Sequence, residues 1–156
     1  MIKIFLCVLL VILCAFAGYL LTLKYKKRKQ FTYDLYSFNE RLISEVNFTR
    51  IPLSVFFFKY EYGLGFSTLL KDIKLKNFEK VSVDFPYLTT KQKQLVGDYF
   101  LMLGKSDYKS QSEFLKNYRV EIEKEKTSSF EEYKKFSALY VKLGFLFGLI
   151  LAILLI

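Results

Sequence analysis

The sequence predicts an all-α protein in which two membrane helices continue into a cytoplasmic helical bundle. Three observations predict it. The 156 residues are 53% apolar and 25% charged, yet residues 4 to 23 and 143 to 156 hold no charge at all. Between these runs, large apolar residues recur at three- and four-residue spacing. Only two prolines, Pro52 and Pro86, interrupt the chain.

The first element is the uncharged run Ile4 to Leu23, long enough at about 1.5 Å per residue to cross a hydrocarbon layer of roughly 30 Å. A cleaved signal peptide ending at Ala15-Phe16-Ala17 is the rival reading. Against it, apolar residues persist to Leu23 and then meet Lys24, Lys26, Lys27, Arg28 and Lys29, a stop-transfer pattern. Beyond this basic flank, Phe31, Leu35, Phe38, Leu42 and Val46 keep helical spacing, so the helix is expected to run to about Phe48 and to stop before Pro52.

A short helix through Leu53 to Tyr60 follows, then a break at Gly63 to Gly65, then a helix over Ser67 to Phe78. Val81 to Phe85 alternates like a strand but, alone among helices and ahead of Pro86, is expected to be an extended connector. Thr89 or Thr90 caps the next helix, whose stripe is Leu95, Val96, Tyr99, Phe100, Met102 and Leu103, with Gly104 as the terminator. The last helix starts from Ser106 or Asp107, or from a capping box of Ser110 with Glu113. It meets no breaker for about 45 residues, and its end, from about Phe136 to Ile156, forms the second span with Lys142 snorkelling beside Tyr140. Gly144 and Gly148 have the spacing that lets membrane helices approach closely, and residues 4 to 23 offer a partner. The expected domains are thus 1–23, 24–135 and 136–156.

Orientation follows from charge. Residues 24 to 142 hold 23 bases against 15 acids, a net +8, and the basic flanks put this region in the cytoplasm, with both ends of the sequence on the far side. Function classes are narrowed in the same way. There is no His, and the two Cys, Cys7 and Cys14, lie in the first apolar run, which argues against zinc sites, Ser-His or Cys-His nucleophiles and a disulfide framework. Gly63-Leu64-Gly65 lacks the GK[ST] of a phosphate-binding loop. No catalytic residue, cofactor, metal or small-molecule substrate is expected. The run Val55 to Phe58 either fills the bundle or forms a partner-binding face. Lipid headgroups and topology account for the basic flank, ahead of nucleic acid.

Four stretches resemble the stage III sporulation protein AB family. They are Met1-Ile2-Lys3 leading to Gly18-Tyr19; Leu42 to Leu53 (LISEVNFTRIPL), against the family's LExEIxYxxTPL; Leu103 to Gln111 (LGKSDYKSQ), against LGxxDxxxQ; and Leu143-Gly144-Phe145 with Gly148 before an apolar end. Ile43 stands where that pattern has Glu, Ile51 where it has Thr before Pro, and Lys27 to Gln30 holds no Pro.

The resemblance implies a role in endospore formation and a likeness to the cytoplasmic domains of type II secretion and type IV pilus platform proteins. It further implies a non-enzymatic channel component in the outer forespore membrane, its middle on the mother-cell side. Its implied partners are a secretion-type ATPase and other sporulation channel membrane proteins. By the same resemblance Glu45, Pro52 and Leu53 shape the turn after the first long helix, and Leu103, Gly104, Asp107 and Gln111 shape the junction opposite. The competing class is a membrane-anchored basic domain that binds anionic lipid or nucleic acid.

Overall fold

The computed structural model describes residues 2–48, 51–76, 81–105 and 107–155. Five helices follow in order: α1 (Ile2–Phe48), α2 (Leu53–Phe56), α3 (Leu64–Leu75), α4 (Thr90–Met102) and α5 (Tyr108–Leu155). No strand occurs among the described residues, and residues 81–85 are extended without a ladder. The fold is all-α, and α1 and α5 are both long and apolar enough to cross a membrane.

The chain divides into two units, Met1–Lys27 with Ser129–Ile156, and Arg28–Ser128. In the first, α1 and α5 run antiparallel at very close range. A Cβ on Gly18 would stand 2.5 Å from the Tyr140 carbonyl oxygen, one on Gly144 2.6 Å from that of Cys14, and one on Gly148 2.9 Å from Val11 Cα. Further along, Cys7 Sγ lies 3.9 Å from the Ala152 carbonyl oxygen. Large apolar side chains point away from this seam: Phe5, Ile12, Leu13 and Phe16 on α1 and Phe145, Leu146 and Phe147 on α5 are exposed. At the other end of the seam the Tyr25 ring stacks on Phe136 at 4.8 Å.

The second unit is a water-type core. Phe31, Leu35, Phe38 and Leu42 of α1, buried along one stripe, meet Phe66, Leu69, Leu70 and Ile73 of α3, Leu95, Val96, Tyr99 and Phe100 of α4, and Leu115 and Ile122 of α5. Phe38 is the hub, with ring centroids of Phe56, Phe57, Phe66 and Phe100 at 5.1 to 5.6 Å, mostly edge to face. One buried polar chain crosses this core. Tyr99 Oη donates to Asn39 Oδ1 at 3.0 Å, and Asn39 Nδ2 donates to the Leu115 carbonyl at 3.2 Å, so α1, α4 and α5 are tied by paired groups rather than orphaned ones.

The helix ends have local causes. Thr89 caps α4 with a full capping box, its hydroxyl accepting from the Gln92 backbone N–H at 3.2 Å and its own N–H donating to Gln92 Oε1 at 3.1 Å. Thr90 is the first helical residue. Two expected elements shift. The helix from Leu53 is a single turn ending at Phe56 rather than Tyr60, and α3 begins at Leu64, so Gly65 lies inside it. At α3 the shift goes with Asp34 of α1, whose Oδ2 accepts the Gly63 N–H at 3.0 Å and anchors the start of the helix. The expected end of this helix at Phe78 and the alternative cap Ser106 lie outside the described residues.

Candidate functional site

The residues singled out in the sequence can be followed one by one. α4 ends because Gly104, at φ +78°, adopts the left-handed conformation that other residues take at a cost. Its N–H donates to Gln111 Oε1 at 3.0 Å, and a Cβ there would meet Leu53 Cδ1 at 2.6 Å. Leu103, beside it, is buried in the core. The Gln111 side chain is buried, and its backbone N–H donates to the Asp107 carbonyl at 2.9 Å. Leu53, Leu103, Gly104 and Gln111 therefore form one junction, although Leu53 opens α2 and the other three flank the distant α4–α5 turn.

Pro52 leads into this junction with its carbonyl accepting from Val55 and Phe56 N–H at 3.0 Å each. Asp107 is exposed and works locally. Its Oδ2 accepts from the Ser110 backbone N–H at 3.4 Å, and the hydrogen bonds from Ser110 hold its carboxyl below the ordinary value. Asp107 thus caps α5, and Ser110 is already helical, which removes the Ser110–Glu113 capping box. Glu45 faces elsewhere. Buried near the end of α1, it accepts from Tyr60 Oη at 2.8 Å and pairs with Lys59 Nζ, and this hydrogen bond raises the Lys59 ammonium above its usual range.

The sequence reading missed Asn47 and Ser112. Ser112 Oγ donates to Asn47 Oδ1 at 3.1 Å, linking the last turn of α1 to the first turns of α5. Around these contacts, Phe48, Val55 and Met102 are exposed by 83%, 58% and 58%, with Lys105 and Lys109 also exposed. The Val55 to Phe58 run splits: Phe56 and Phe57 are core, while Val55 and Phe58 face out.

The basic flank also splits. Lys24, Lys26 and Lys27 are exposed in the first unit, whereas Lys29 is half-buried and Arg28 Nε donates to the Tyr87 carbonyl at 2.7 Å in the second. Among the described residues no group of three His, Cys, Asp or Glu is placed to hold a metal. A shallow cavity of about 260 Å³ is lined by Phe57, Phe58, Tyr60, Tyr62 and Lys71 among others, just under the size of ordinary small-molecule sites, about 300–1,000 Å³.

The family model for stage III sporulation protein AB matches residues 75–156. The chain belongs to that family. The matched segment contains α4, the Leu103–Gln111 junction, all of α5 and the Gly144 and Gly148 contacts. Family membership assigns the chain a role in sporulation. The block from Leu42 to Leu53, with Glu45, Pro52 and Leu53, lies outside the match. No curated protein and no solved structure matches the chain.

Proposed function

We propose that this chain is a non-enzymatic membrane platform in a secretion-like channel complex between mother cell and forespore, and that it docks a cytoplasmic secretion-type ATPase. In this reading α1 and α5 are rooted in the outer forespore membrane and residues 24–135 face the mother-cell cytoplasm. The docking surface is the junction of α1, α2, α4 and α5. One observation carries the proposal: the LGKSDYKSQ block builds, with Leu53, a part-buried hydrogen-bonded junction whose rim of Phe48, Val55, Met102, Lys105 and Lys109 is apolar and basic. A rim of that composition on a stiff base suits a protein interface with an apolar centre and acidic margin. Other channel proteins of the same system are the expected neighbours in the membrane.

The test is a detergent pull-down of tagged full-length protein from sporulating cells, washed at high salt, with bound proteins identified by mass spectrometry. Recovery of a secretion-type ATPase with channel proteins is expected, and it should fall sharply in Asp107→Ala and Gln111→Ala variants that retain their helical circular dichroism. Intact protein recovered without an ATPase, or variants that bind it and sporulate normally, would overturn the docking site. Capture of lipid or nucleic acid alone, lost as salt rises, would favour the basic-domain reading.

A further inference from the structure

The close seam of the first unit fixes the depth of each residue along it. Tyr140 opposes Gly18 and Gly144 opposes Cys14, so Lys142 stands level with residues 14 to 18 of α1. That is about two helical turns, roughly 10 Å, deeper than Lys24, inside a stretch of α1 that holds no charge. Lys142 is nevertheless exposed on the outer surface of the pair. An ammonium at such depth lowers its cost by extending along the helix toward the interface.

That direction leads to Lys135. Seven residues are two turns, so Lys135 and Lys142 share one face of α5 about 10 Å apart. Ala138 and Leu139, both exposed, lie between them. On the other side of Lys142, Leu143 and Leu146 continue the same exposed face toward the apolar end. A phosphate over Ala138 is within reach of both ammoniums, and an acyl chain attached to it would run down Leu139, Leu143 and Leu146. The surroundings favour an anion further. Residues 19–27 and 129–142 hold six lysines, Lys24, Lys26, Lys27, Lys134, Lys135 and Lys142, against Glu131 and Glu132.

We infer that Lys135 and Lys142 form a binding site for the headgroup phosphate of an anionic phospholipid, with the leucine stripe below them receiving one of its chains. A polynucleotide offers the phosphate but not the chain, and its backbone has no access at the depth of Lys142. The site rests on reading α1 and α5 as membrane spans, independently of any ATPase.

Native mass spectrometry of the full-length protein, released from detergent with equal amounts of phosphatidylglycerol and phosphatidylcholine, tests this. The wild type should retain phosphatidylglycerol preferentially. K135Q/K142Q should lower that preference on the order of tenfold, given the usual worth of a lysine at an anionic surface. K135R/K142R, which keeps charge and length, should preserve it, and K26Q on α1, which removes one charge from the surroundings but none from the site, should lower it by far less than the double variant. Equal retention of both lipids by the wild type, a preference that survives K135Q/K142Q, or a loss in K26Q as large as in the double variant would overturn the site. Displacement of the lipid by an added oligonucleotide would do the same. If K135Q/K142Q loses its helical signal, K142Q against K142R decides by the same criterion.

Discussion

The two units of this chain are packed by opposite rules, although α1 and α5 contribute to both. In the first unit glycines and cysteines meet at the seam while phenylalanines and leucines point outward. In the second, six rings crowd around Phe38 and charged residues cover the outside. A lipid surround for the first unit, which the length and apolar composition of α1 and α5 allow, accounts for the difference. In water, removing a large ring from contact with the solvent is itself the driving force. In lipid the surroundings are as apolar as the side chain, so nothing is gained by turning Phe145 inward, and association depends on how closely two backbones approach. The same helix thus changes its packing rule along its length, and the change falls at the basic residues Lys24 to Lys29.

The largest effect should come from removing the hub of the water-type core. Phe38→Ala deletes a fully buried ring and should cost about 3–5 kcal/mol in denaturant unfolding of the second unit, followed by circular dichroism in micelles. The membrane seam should not notice. A reporter for it is available: Cys7 Sγ lies 3.9 Å from the Ala152 backbone and both residues are buried at the seam, so with Cys14→Ala and Ala152→Cys in the background a Cys7–Cys cross-link by a short bifunctional thiol reagent should form equally well with or without the Phe38→Ala change. Gly144→Leu is the converse experiment. Its side chain would collide with the Cys14 backbone, so the cross-link yield should fall, with a cost of about 1–3 kcal/mol at the seam, while unfolding of the second unit stays at its wild-type midpoint. Loss of both signals in either variant would mean that the two packing rules do not operate separately.

Much of the helix order was legible in the sequence because it is written in local pattern. The uncharged runs, the five basic residues after Leu23, the stripe from Phe31 to Val46 and the absence of breakers after Asp107 give α1 and α5 almost to the residue. Thr89 or Thr90 announces the start of α4, and Gly104 its end; the capping box with Gln92 selects Thr89. What stayed hidden depends on partners far apart in sequence. Gly63 and Gly65 read as a break because no local pattern reveals that Asp34, 29 residues earlier, anchors the start of α3 at Leu64. Asn47 and Ser112 carry no signal individually and matter only because the end of α1 and the start of α5 lie side by side. The site motif was partly legible. LGKSDYKSQ places a helix stop and a cap in one short block, but Gln111 folding back on Gly104 and Leu53 packing against it are tertiary facts. For Glu45 the family pattern marks a position and says nothing of Lys59 and Tyr60.

The smallest effect sharpens the comparison within the second unit, between two aspartates that anchor helix starts in opposite environments. Asp34 is buried, and this desolvation raises its carboxyl above the ordinary value of 3.8 despite hydrogen bonds from Gln30 and the Gly63 backbone and the charge of Arg41. Asp107 is exposed, and the Ser110 hydrogen bonds lower its carboxyl below 3.8. Linkage then gives opposite signs. For Asp34 the ionised form is the one the fold disfavours, so its contribution to stability improves as pH falls through its raised value toward 3.8 and is unchanged below that. For Asp107 the ionised form is favoured, so its contribution is full above 3.8 and fades as pH falls through its lowered value. Unfolding midpoints of wild type, Asp34→Asn and Asp107→Asn, taken from neutral pH downward, should show the wild type gaining on Asp34→Asn and losing to Asp107→Asn. Parallel curves for the two variants would mean that burial at Asp34 does not govern its proton, and that the start of α3 is held by the Gly63 hydrogen bond irrespective of charge.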